Sequence, residues 1–164
     1  MKLDSLCSHP EILSNITFLM NNYKDASFHI SINGALKQKN IRVVVGDKFC
    51  LEPSAKIRSE ICDDLQIYIF EFPLQEAEFI HLLEMLDHTG LCYWQRKYQA
   101  VRYPWVQWKV TIARKNCPPL KIEGTCAYPE RWEEFLAVWN SFANLESILR
   151  FFRMRSALHG VKVN

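Results

Sequence analysis

The sequence predicts an α+β protein built on an antiparallel sheet of six to seven strands, with helices packed on one face, in the order α-βββ(β)-α-βββ-α. Three observations carry that expectation. Strand-like segments come in runs joined by short turns rather than alternating singly with helices, which argues against a parallel α/β sheet. Two amphipathic segments that start at a proline each follow such a run. The 164 residues are 49% hydrophobic and 13% aromatic, enough to fill a sizeable core and too apolar for a solvated coil.

The elements follow in order. Ser8 and Glu11 have capping-box spacing around Pro10, and Ile12, Leu13, Ile16, Leu19 and Met20 recur at helical spacing, so a first helix ending at Asn21-Asn22 is expected. Phe28, Ile30 and Ile32 alternate with polar residues, as in a strand with one buried face, and Asn33-Gly34 opens a turn. Segments 41–45 and 48–51 flank Gly46-Asp47 as a hairpin. In the ambiguous stretch 54–64, Ile57 and Ile61 fit a short helical turn. Residues 66–72 are apolar on both faces, which places that strand centrally. Pro73 opens a helix with Glu76 and Glu78 at its positive end, a stripe of Phe79, Ile80, Leu83 and Leu86, and Gly90 as cap. Strands are expected at about 91–98, 105–114 and 119–126. A helix from Pro129 carries Trp132, Phe135, Leu136, Trp139 and Phe142 and breaks near Asn144; a last helical piece uses Leu145, Ile148, Leu149 and Phe152.

Two strand-to-helix junctions match at a constant offset of 56 residues: Phe72-Pro73, Glu78, Phe79, Ile80, Leu83 and Leu86 against Tyr128-Pro129, Glu134, Phe135, Leu136, Trp139 and Phe142. The offset suggests a duplicated βββα unit within one domain over 1–164, with pseudo-repeat halves 23–90 and 91–145 and a helical tail at 145–160. The competing account is that any two proline-started amphipathic helices align this way.

Trp108, Val110 and Ile112, then Ile122, Gly124, Ala127-Tyr128-Pro129, Trp132 and Phe135, resemble a pattern in small uncharacterised bacterial proteins: W-x-φ-x-φ, a turn, then φ-x-G-x-x-A-Y-P-x-x-W/F-x-x-F/L. The resemblance covers about a third of the chain, 103–142. It implies a strand hairpin, a glycine that permits a bend, and Tyr-Pro opening a helix in a bacterial protein. It implies no activity or cofactor.

The formal net charge is only +2, which disfavours a dedicated polyanion binder. Charge is nevertheless segregated, with eight acids and no Lys or Arg over 59–95, and seven bases and no acid over 96–122. Mutual neutralisation of the two blocks is the expected arrangement. The N-terminus lacks the apolar core of a secretory signal, and no apolar run approaches the ~18 residues of a membrane span. Six cysteines are scattered with no C-x-x-C pair. Reduced thiols, a cytoplasmic location and no membrane partner are therefore expected.

Catalytic signatures are sparse. The five glycines are isolated, so neither phosphate-binding loop can form, and G-x-S-x-G and H-E-x-x-H do not occur. His81, Glu84 and His88 lie at helical spacing without a further convincing ligand, so no metal or other cofactor is expected. Asp63-Asp64 reads as a cation site or general base, or more simply as a solvated turn. A Cys/His pair that meets only in space stays open, which leaves a cryptic hydrolase as one alternative. Trp94, Arg96, Lys97, Tyr98, Arg102 and Tyr103 interleave rings with cations, as a single-strand nucleic-acid platform on an open sheet does. The expected function is non-enzymatic binding or regulation through a protein partner, with single-stranded nucleic acid as the other alternative.

Overall fold

The computed structural model describes residues 4–23, 26–35, 37–46 and 67–162, with side chains as far as Arg155. After a 3-10 turn at Pro10–Ile12 come β1 (Leu13–Tyr23), β2 (Ala26–Asn33), β3 (Lys39–Gly46) and β4 (Ile67–Leu74), then α1 (Glu76–His88). A second 3-10 turn, Leu91–Tyr93, leads to β5 (Lys97–Gln99), β6 (Gln107–Arg114), β7 (Leu120–Thr125), α2 (Trp132–Ala143) and α3 (Leu145–Lys162). The strands form one sheet in the order β4-β3-β2-β1-β6-β7-β5.

Alternate side chains of a pleated strand share a face, and the register stacks them into rungs. Phe72, Ile41, Ile32, Ile16, Ile112 and Leu120 make one; Phe70, Val43, Ile30, Phe18, Val110 and Ile122 the next; Tyr68, Val45, Phe28, Met20 and Trp108 a third, ending at Gly124. The helices cover this face. Phe79, Leu82, Leu83 and Leu86 of α1 and Trp132, Phe135 and Trp139 of α2 join the same buried cluster, while Phe151 and Phe152 of α3 meet Tyr68 at 5.3 and 6.1 Å between ring centres. The helices expected after Pro73 and Pro129 thus share a face.

Several expectations are corrected. The first element is not a helix but, after one 3-10 turn, the central strand β1. The helical stripe left out Phe18, whereas Ile16, Phe18 and Met20 are all buried at period two; pairing on both sides with β2 and β6 decides the matter. With β1 in the middle, the strand expected to be central, 66–72, becomes the edge strand β4, and its outer-face Ile69 is 44% exposed. The sheet is mixed rather than wholly antiparallel, because the strand expected over 91–98 shrinks to a 3-10 turn and β5, which runs parallel to β7. Pro73 lies inside β4 opposite Asn40, and α1 starts after Gln75, whose side chain and that of Glu78 cap each other's backbone N–H groups. The second arm of the Gly46-Asp47 hairpin, the 54–64 segment with Asp63-Asp64, and Cys50 and Cys62 lie outside the described residues. The break at Asn144 is observed: it caps α2 in the left-handed conformation, φ 52°. Within the acidic stretch, Glu76 meets Lys39 at 2.8 Å and Glu71 meets Arg42 at 3.7 Å, so these acids pair with β3 rather than with the basic block.

Candidate binding groove

The ring-and-cation residues of 94–103 do not share one surface. Trp94 is only 8% exposed; it packs on Phe135 at 5.0 Å and Trp108 at 6.1 Å and donates its indole N–H to the Thr89 carbonyl. Its ring faces the core and offers no free stacking surface. Tyr98 leans on Trp108 at 5.9 Å, and its hydroxyl accepts the Gln95 backbone N–H. Arg96 donates to the Trp94 carbonyl, Lys97 is exposed on β5, and Arg102 and Tyr103 stand out on the β5–β6 connection, where Tyr103 is 96% exposed. On the face away from the helices, alternation places Asn21, His29, Arg42, Gln107, Lys109, Lys121 and Glu123. The paired rungs put Phe18, Phe28, Tyr68, Phe70, Phe72 and Trp108 on the opposite, helix-covered face. Burial and the nearby Arg42 guanidinium lower the His29 pKa, leaving a neutral imidazole at pH 7. Lys97 and Tyr98 do meet Asn21, Lys109 and Glu123 around a polar hollow of about 520 Å³ at the β5 end of the sheet.

Among the described residues, no hydrogen bond joins a cysteine to a histidine, and no three His, Cys, Asp or Glu side chains are grouped to hold a metal. His81 sits 3.8 Å from Glu84 and its ring faces Phe142 at 5.6 Å. The most connected carboxylate is Asp87 at the end of α1. It accepts the Ser5 hydroxyl at 2.8 Å and the Leu6 and Cys7 N–H groups at 2.8 and 3.0 Å, with the Cys92 thiol 3.8 Å away. This ties the N-terminal segment to α1. Burial, reinforced by the Asp87 charge, pushes Cys7 and Cys92 each up to about 12.

Labelling should report this. Thiolate is the reactive form, so at pH 7.5 alkylation of Cys7 and Cys92 should run about a thousandfold slower than at a thiol of ordinary pKa. Asp87→Asn should speed it, and mass spectrometry of timed iodoacetamide samples reads both rates. Labelling as fast as free glutathione would disprove the environment described. Because the folded pKa is raised, the associated stability is complete below the ordinary value of 9.0 and is lost as pH climbs toward 12.

A further hollow lies between α1 and α2. Contacts of Arg131 with the His88 carbonyl and of His81 with Phe142 set α1 and α2 antiparallel, end against start. Between them and the end of β4 opens a groove of about 610 Å³. Phe72, Pro73 and Leu74 come from β4, Glu78, His81 and Met85 from α1, and Glu134, Ala137, Val138, Ser141 and Phe142 from α2. Ala137 and Ser141, one turn apart on α2, are too short to fill the space. Neither Lys nor Arg lines it, and no described hydrogen bond links Ser141 to His81. The sequence reading missed this groove. Its available signals were Met85 off the apolar stripe of α1 and two small residues on the flank of α2.

No protein-family model matches this chain, and no curated protein sequence matches it.

Proposed function

We propose that the protein is a non-enzymatic binding protein that takes a basic, amphipathic segment of a protein partner into the α1–α2 groove. The observation that carries this reading is the lining itself: apolar Phe72, Leu74, Met85 and Phe142 with the carboxylates of Glu78 and Glu134, and neither Lys nor Arg, while the one histidine, His81, lies 3.8 Å from Glu84. Apolar anchors at helical spacing fit such a lining. Met85, 37% exposed, is a side chain that adapts to varied ligands. The two carboxylates select cations and repel acidic competitors. Glu78 and Glu134 are also matched by the 56-residue offset, so the duplication reading belongs to this proposal: two copies of one strand–helix unit would place equivalent acids on either side of the groove. A reducing, cytoplasmic setting is part of it too, supported by the free thiols of Cys7, Cys92, Cys117 and Cys126.

Selection of a displayed library of helical peptides against the purified protein tests the reading. Peptides with apolar residues at i, i+3 or i+4 and i+7 flanked by Lys or Arg should be enriched. Ala137→Arg fills the groove from an exposed position and should abolish their binding. Glu78→Gln with Glu134→Gln, which keeps the α1 cap, should weaken binding about tenfold, or 1.4 kcal/mol. Enrichment of acidic peptides, or binding indifferent to Ala137→Arg, would refute the proposal.

A further inference from the structure

Where α1 ends and α2 begins, a separate hollow of about 460 Å³ opens, walled by Tyr93, Tyr98, Tyr128 and Pro129, floored by Trp94 and edged by Glu130. The three tyrosine rings do not touch one another. Tyr98 leans on Trp108 and Tyr128 on Trp132, at 5.9 and 5.0 Å, while Tyr93 has no ring neighbour and is 72% exposed. Two of the three rings are thus held against tryptophans, and the third stands free at the rim of the hollow. The backbone that presents Tyr128 and Pro129 is bracketed by unusual conformations: Cys126 and Arg131 are both left-handed, with φ 55° and 64°. Non-glycine residues adopt this region only under constraint. Two charged residues line the hollow, Glu130 and Arg131. Arg131 is engaged by Glu134 at 3.5 Å and by the His88 carbonyl, so Glu130 is the lining charge with no described partner.

We propose that this hollow binds an extended, proline-rich segment of a partner protein with an Arg or Lys beside its prolines. Such segments hold the polyproline II conformation before binding, so little ordering entropy opposes docking. Their pyrrolidine rings pack on aromatic rings, their free carbonyls can accept from tyrosine hydroxyls, and the flanking cation meets Glu130. The same rings would stack on nucleotide bases, but the lone carboxylate repels phosphate and the lining has no free cation to offset it. The site lies beyond the α1–α2 groove and does not depend on it.

An array of Pro-x-x-Pro peptides with one flanking Arg, probed with the full chain and followed by fluorescence anisotropy in solution, tests the proposal. Binding should weaken at least roughly tenfold when the prolines become Ala, when the Arg becomes Glu, and in Tyr93→Ala or Tyr128→Ala protein, both changed at exposed rings. Ala137→Arg, in the other groove, should leave it unchanged. Amide shifts of Gly90 and the Trp94 indole should move on titration, a readout that loss of fold would not mimic. Absence of any proline-dependent binder on the array overturns the proposal, as does loss of binding in Ala137→Arg. Tyr93-dependent binding of oligo-dT in preference to every peptide overturns it in favour of nucleic acid.

Discussion

Phe18→Ala is expected to cost about 3–5 kcal/mol, more than half the stability of a protein at the lower end of the usual ~5–15 kcal/mol. Phe18 is fully buried at the midpoint of β1, and its ring meets Phe135 at 4.8 Å, Phe28 at 5.5 Å, Trp132 at 5.7 Å and Trp139 at 6.0 Å. Those four rings come from β2 and α2, so truncation leaves a cavity bounded by a neighbouring strand and a packed helix. Paired strands on both sides of β1 keep the backbone from collapsing into it. Phe18→Leu, which keeps most of the volume, should cost less than half as much. Urea unfolding curves give both numbers. A cost below about 1 kcal/mol for Phe18→Ala would place residue 18 outside the core, as the helical stripe of 12–20 did, and would contradict β1 as the central strand.

Phe18 also shows what the sequence could and could not reveal. In the window 12–20 apolar residues satisfy two periods at once, and the cap-like Ser8, Pro10 and Glu11 favoured the helical one. The pairing that decides it, Phe18 with Ile30 and with Val110, is separated by many residues and has no local signature. Where a single period held, the reading was sound for Phe28, Ile30 and Ile32 in β2, for Trp108, Val110 and Ile112 in β6, and for most of the α1 and α2 stripes, although Ile80 and Phe142 are only half-buried and the fully buried Leu82 was left out. Central or edge position depends on the count of neighbours, so the error at β1 carried over to β4. Surfaces were harder still. The 94–103 stretch has the composition of a stacking platform, but a 3-10 turn at Leu91–Tyr93 sends Trp94 inward and leaves Tyr93 outside. Of the groove, Glu78 was visible as an acid in the first turn of its helix and, with Glu134, as a 56-residue match; the gap beside Ala137 and Ser141 exists only where α1, α2 and the end of β4 come together.

Gly124→Ala is expected to destabilise the fold by about 3 kcal/mol, the upper end for one added methyl in a packed core. The sequence resemblance suggests a bend at this glycine, yet Gly124 lies within β7, paired with Trp108 across the ladder. What requires glycine is the indole lying over it. A β-carbon there would stand 2.2 Å from Trp108 Nε1, 2.3 Å from Cε2 and 2.6 Å from Cζ2. The ring cannot yield easily: its N–H donates to the Ala127 carbonyl at 2.9 Å, and Trp132 packs on it at 4.7 Å. Any shift would reach Tyr98 and Trp94, which wall and floor the aromatic hollow, so peptide binding there should fall with stability. A double-mutant cycle separates sterics from backbone effects. Trp108→Ala alone removes a large buried side chain and should itself cost about 3–5 kcal/mol. Once the indole is gone, Gly124→Ala should add almost nothing, giving a coupling energy of about 2–3 kcal/mol, measurable by urea or thermal unfolding. An equal cost for Gly124→Ala with and without the indole would show that the glycine serves the backbone and not the ring.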